Sequence, residues 1–234
     1  MKGSHVRHLF NEPGDRERVR AELGHAAAGN ARIALAMASY LVWLIACCTG
    51  PAVALGAWGP GGGEMLLPAW LGPLACMAAA SAVIAVWFKR TRKVPSAPSW
   101  TVALASLMTL AAALHLVWAL DTGLPTAARG ALYLLASLVM GVGCALFRVE
   151  VDRVFGWIGT QQTLHQGMLA TVATAAVLAM LAVAGRVSGS GDLPLLAAPL
   201  VLPFAGAALL RSVVGGFPRA RYYGHGRDVP LPFP

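Results

Sequence analysis

Apolar residues in this chain fall into six long blocks that contain no Asp, Glu, Lys or Arg: residues 33–57, 66–88, 100–120, 130–147, 167–185 and 193–210. Crossing about 30 Å of hydrocarbon takes roughly 20 apolar residues at 1.5 Å each, so every block predicts a transmembrane helix. The expected fold is all-α, a polytopic membrane protein with six transmembrane helices. A polar arm, 1–32, precedes the bundle at 33–210, and a tail or linker, 211–234, follows it.

The connections at 58–65, 121–129 and 186–192 are short and rich in Gly and Pro, which suits tight turns between antiparallel helices. Within the blocks, Gly50 and Pro51, Gly72 and Pro73, and Pro194, Pro199 and Pro203 predict interruptions, because proline lacks a backbone donor and clashes with the preceding turn. Broken helices often mark ligand sites in membrane bundles, although kinks also occur in passive ones. Small residues supply close-packing positions: Ala75, Ala79 and Ser81; Gly141 and Gly143; Ala170 and Thr174.

Composition supports the same class, with 57% hydrophobic and only 12% charged residues. The net charge of +8 reads as topology once its distribution is considered. Of the 18 Lys and Arg, 16 lie in the arm, the second and fourth connections and the tail, while the other three connections hold only Arg129 and Arg186. Basic residues stay on the cytoplasmic side, so both termini are expected in the cytoplasm and the protein in the cell membrane. The arm carries six of these basic residues ahead of the first block, which argues against a cleaved secretory signal. Its run 11–24 can form a short solvated helix capped by Asn11. No helix-turn-helix, zinc-finger or aromatic RNA-binding signature occurs, so no direct nucleic-acid binding is expected. The lipid bilayer is the expected partner.

Candidate chemistry is sparse. No hydrolytic, zinc-protease or P-loop motif occurs, so no catalytic residue is assigned and the chain is not expected to be an enzyme. Cys47, Cys48, Cys76 and Cys144 fall inside apolar blocks without metal-ligand spacing, and read as small buried hydrophobes; no metal is expected. The six blocks contain a single His, His115, about 8 Å below the outer boundary at 1.5 Å per residue. An ionisable group inside a span is a functional candidate. Trp118, Trp70 and Tyr133, with Asp121 and Arg129, are predicted at similar depth and could line a ligand pocket with it. The competing reading is a structural His bonded to a carbonyl, with the aromatics in an interfacial belt. Haem needs a second axial ligand at matching depth, and His165 falls at the opposite end, so no cofactor is expected. The interior also lacks the carboxylate that proton-coupled carriers use.

The stretch 146–159, LFRVEVDRVFGWIG, carries four charges. On a helix, Phe147, Val151, Val154, Phe155 and Ile158 form one apolar stripe, while Arg148 pairs with Asp152 at i,i+4 and Glu150 with Arg153 at i,i+3. This predicts an amphipathic cytoplasmic segment at headgroup level, a turn within 156–166 and re-entry at Gly167. Arg148, Glu150, Asp152 and Arg153 become the candidate cytoplasmic coupling segment.

The string 137–181, with Gly141 and Gly143 followed by this segment and a small-residue helix, resembles the membrane half of LuxR-type transcriptional regulators. That half is similar to major-facilitator carriers in having twelve spans in two groups of six. The resemblance implies a sensor-like bundle that a second six-span half, or a second copy, would complete. Val151 stands where the family suggests Trp, and 88–93, FKRTRK, lacks the Gly and Asp of the carrier motif. Three functions follow in order: a non-enzymatic sensor or regulatory domain binding a small molecule near the outer leaflet, a transporter acting as a dimer of six-span units, and a membrane anchor or assembly subunit.

Overall fold

The computed structural model describes residues 31–54, 63–91, 101–120, 123–158 and 160–214. The 11–24 run, Asp121 and the tail beyond 214 lie outside them. Six helices make up the described chain: α1 Ala31–Ala54, α2 Gly63–Thr91, α3 Thr101–Leu120, α4 Thr126–Ile158, α5 Thr160–Val187 and α6 Leu193–Val214. All six are long and apolar enough to cross a membrane, so the protein is a multi-pass membrane bundle.

Helices α1, α3 and α4 supply most of the interior, while α2 and α5 turn most of their surface outward. The outward faces carry Leu71, Val83 and Trp87 on α2 and Leu164, Met168 and Val172 on α5, a surface suited to lipid. Helix α1 packs against α6, α5 and α2, α3 against α4 and α6, and α2 against α4. Gly50 faces Leu196, and Gly206 faces Ser39 and Ala36, so α1 and α6 run antiparallel and residues 31 and 214 lie at one end. The core is filled by Trp43, Met108, Met140 and Phe147, with Tyr40 of α1 stacked on Phe147 of α4 at 5.4 Å.

Close approach in lipid depends on small residues, and one of the three expected sets does not serve it. A Cβ on Gly141 would meet the Cys76 backbone at 2.5 Å, so α4 lies directly against α2 there. Ala170 and Thr174 are buried. Ala75, Ala79 and Ser81 instead face outward; the packed face of α2 runs through Ala69, Gly72 and Cys76.

The expected interruptions are absent at the level of helix continuity. Pro51 and Pro73 lie within α1 and α2, and Pro199 and Pro203 within α6. A neighbouring hydroxyl can support backbone that proline disturbs: Thr109 of α3 donates to the Leu200 carbonyl at 3.2 Å, in the turn just before Pro203.

The segment after Phe147 also departs from expectation. Helix α4 continues for 33 residues, about 50 Å at 1.5 Å each, and α5 begins one residue beyond its end. Residues 156–158 and 160–166 are therefore helical and not a loop. Thr163 of α5 donates to the Phe155 carbonyl at 3.0 Å, satisfying one of the acceptors a helix leaves open at its C-terminal end. The apolar stripe is real, but Phe147, Val151 and Val154 bury it in the core instead of laying it along headgroups. At the opposite end, Gly189 and Gly191 adopt φ of 69° and 61°, the left-handed region that glycine enters without penalty. The Gly191 amide donates to the Gly185 carbonyl at 3.0 Å, closing α5 before α6 begins.

Candidate functional site

Spacing along α3 sets the site. Met108, Ala111, Ala112, His115, Trp118 and Ala119 recur every three or four residues and are all buried, which places the imidazole inside the bundle. His115 is 1% exposed, and neither Nδ1 nor Nε2 has a hydrogen-bond partner among the described residues. The expected carbonyl partner of a purely structural His is thus not there. Leaving such a group unsatisfied costs about 1–3 kcal/mol.

One other predicted residue meets His115, and a second reaches it through that one. The His115 ring centroid lies 4.9 Å from that of Trp118, and Trp118 lies 4.9 Å from Tyr133 of α4, both within the favourable range for aromatic pairs. Trp118 is buried, turned away from the surface where an interfacial belt lies. The ladder continues to α2, where the Tyr133 hydroxyl accepts the Gly72 amide at 2.9 Å. A Cβ on Gly72 would collide with the Tyr133 ring and with Ser137 Oγ, so glycine is what admits the tyrosine. Trp70 is half-buried but makes no ring contact with the other three. It sits two residues before Gly72, about 200° around α2 at 100° per residue, so the structure unites His115, Trp118 and Tyr133 without it.

On its other side His115 borders a small cleft between α1, α3 and α6, lined also by Ala46, Cys47, Ala112, Leu116, Leu196 and Pro199. The cleft holds about 10 Å³, close to the minimum for one water. Pro199 withholds a backbone donor from the Leu195 carbonyl at this wall.

No family model, curated protein or solved structure matches the chain.

The candidate coupling segment divides into two environments. Arg148 and Asp152 form the expected i,i+4 ion pair, Nε to Oδ1 at 2.8 Å, on the exposed side of α4, where such a pair contributes little stability. Glu150 is 1% exposed and faces inward, contrary to a segment whose charges all face headgroups and contrary to an interior without a carboxylate. The side chain of Arg153 lies outside the described residues. Sequence reasoning also passed over Trp43, Ser137 and Gln166, all buried. Helical spacing could have found two of them: Trp43 is one turn from Cys47, and Ser137 one turn from Tyr133. Trp43 Nε1 and Ser137 Oγ have no partner among the described residues, which extends the polar character of the interior to both flanks of the ladder.

Proposed function

We propose that the protein is a non-enzymatic sensor or regulatory bundle of the cell membrane, with both termini cytoplasmic. A small ligand enters at the His115 cleft, and the ladder through Trp118 and Tyr133 carries the change to α2 and α4. The observation behind this reading is the fully buried imidazole at the wall of a cleft, with both nitrogens unpartnered among the described residues. A buried polar group kept at a cost in stability suits a site that a ligand completes, since binding recovers the missing interaction. Helix α2 is the element best suited to respond, because it is the least buried of the six and hangs on the ladder by the Gly72 amide. Helix α4 extends past the ladder to Glu150 and the Arg148–Asp152 pair, giving the signal a continuous path to the cytoplasmic end. The resemblance of 137–181 to LuxR-type regulators favours a regulatory output, delivered through a second six-span half or a second copy.

A binding screen on wild type, His115→Ala and Trp118→Ala in lipid nanodiscs tests the proposal. Binding present in wild type and lost in both variants is expected. Identical responses from all three proteins to every ligand would end it.

A further inference from the structure

The size and lining of the cleft narrow the ligand class. Sites for organic ligands commonly enclose about 300–1,000 Å³, whereas this cleft holds about 10 Å³, space for a body of atomic dimensions. Five of its seven lining residues are apolar, and the two with donor atoms are Cys47 of α1 and His115 of α3. Both are buried, and neither nitrogen of His115 has a partner among the described residues.

We propose that Cys47 and His115 form a two-coordinate site for a soft monovalent cation, Cu⁺ or its redox-inert analogue Ag⁺. Thiolate and imidazole are the ligands such ions select, and closed-shell monovalent ions of this group accept two donors in line. Divalent ions fit poorly. Structural Zn²⁺ takes four ligands, and no group of three His, Cys, Asp or Glu gathers among the described residues. Charge leads to the same choice: a monovalent cation on one thiolate and a neutral imidazole sums to zero. A divalent ion on the same pair would leave a net charge in apolar surroundings, which is strongly unfavourable. In the binding step the Cys47 S–H bond breaks and its proton passes to solvent. A sulfur–metal bond forms, an imidazole nitrogen donates its lone pair, and no oxidation state changes. Cys48 is buried but does not line the cleft, so it supplies an internal control.

This inference names the ligand of the sensor reading and rests on the same cleft. The test uses the full chain in nanodiscs, titrated with Ag⁺ against a soluble competing chelator, in wild type, Cys47→Ser, His115→Gln and Cys48→Ser. One ion retained per wild-type chain is expected, with loss in Cys47→Ser, affinity at least about tenfold weaker in His115→Gln, and no change in Cys48→Ser. X-ray absorption on the wild-type complex should show one sulfur and one nitrogen around silver, a readout independent of how the variants fold. Absence of a retained ion, equal affinity in His115→Gln, or a first shell without nitrogen overturns the inference. If Ag⁺ fails while another ligand binds in a His115-dependent way, only the metal assignment falls; if no His115-dependent binding exists, the sensor reading falls with it.

Discussion

His115 and Glu150 are equally buried, at 1% exposure each, yet only the first was legible as an interior residue. His115 stands in a block without charge, so any polar side chain there draws notice. Glu150 lies three residues after Phe147 and four before Val154, on the same helical face as both, but a carboxylate beside Arg148 and Asp152 reads as one more solvated charge. The ladder shows the same division. Depth along the spans grouped His115, Trp118, Tyr133 and Trp70; ring contacts link the first three and not Trp70, because depth says nothing about the side of a helix. The most local consequence concerns Gly72. Gly72→Ala forces a Cβ into Tyr133 and Ser137 and should destabilise the bundle by about 1–3 kcal/mol, read from unfolding in mixed micelles. In a cycle with Tyr133→Phe the two changes should couple by at least about 0.5 kcal/mol. Additive effects would place the tyrosine elsewhere.

At the scale of elements, all six helices were legible because hydrocarbon thickness sets a length that composition must meet. Their ends were less so, above all where α4 gives way to α5. Charged residues mark where a chain leaves the bilayer, whereas a helix ends where backbone capping and turn geometry end it. Helix α4 therefore runs through Arg148, Glu150 and Asp152 to Ile158, far past the charge boundary near 147. Glycines along the helices give a graded test of the packing. Gly141→Ala presses on Cys76 backbone, which cannot yield, and should cost about 1–3 kcal/mol. Gly143→Ala meets the flexible Met108 side chain at 3.2 Å and should cost less. Gly130 and Gly167 have nothing within 4 Å of a built Cβ, and alanine there should stabilise by about 0.5–1 kcal/mol through helix propensity. Thermal or denaturant unfolding of the four variants should reproduce that order; equal effects would mean that α2 and α4 do not meet at Gly141.

For the whole molecule, the bundle joins an apolar exterior on α2 and α5 to an interior that keeps His115, Trp43 and Ser137 polar and His115 accessible to a small cleft. The orientation proposed for it rests on the 16 basic residues assigned to one side and the two assigned to the other. A membrane-impermeant maleimide applied to intact cells should label Ser190→Cys, in the turn before α6, while Gly3→Cys should react only after permeabilisation. Labelling of Gly3→Cys in sealed cells would invert the topology. The central claim is that His115 is kept for binding and not for stability, and thermal unfolding of metal-free wild type and His115→Leu in the same nanodiscs tests it most directly. Because both ring nitrogens lack partners among the described residues, removing them should relieve about 1–3 kcal/mol, so His115→Leu should melt at the wild-type temperature or several degrees above it while losing ligand binding. A variant that melts several degrees lower would show that the imidazole holds the bundle together, and would contradict the account.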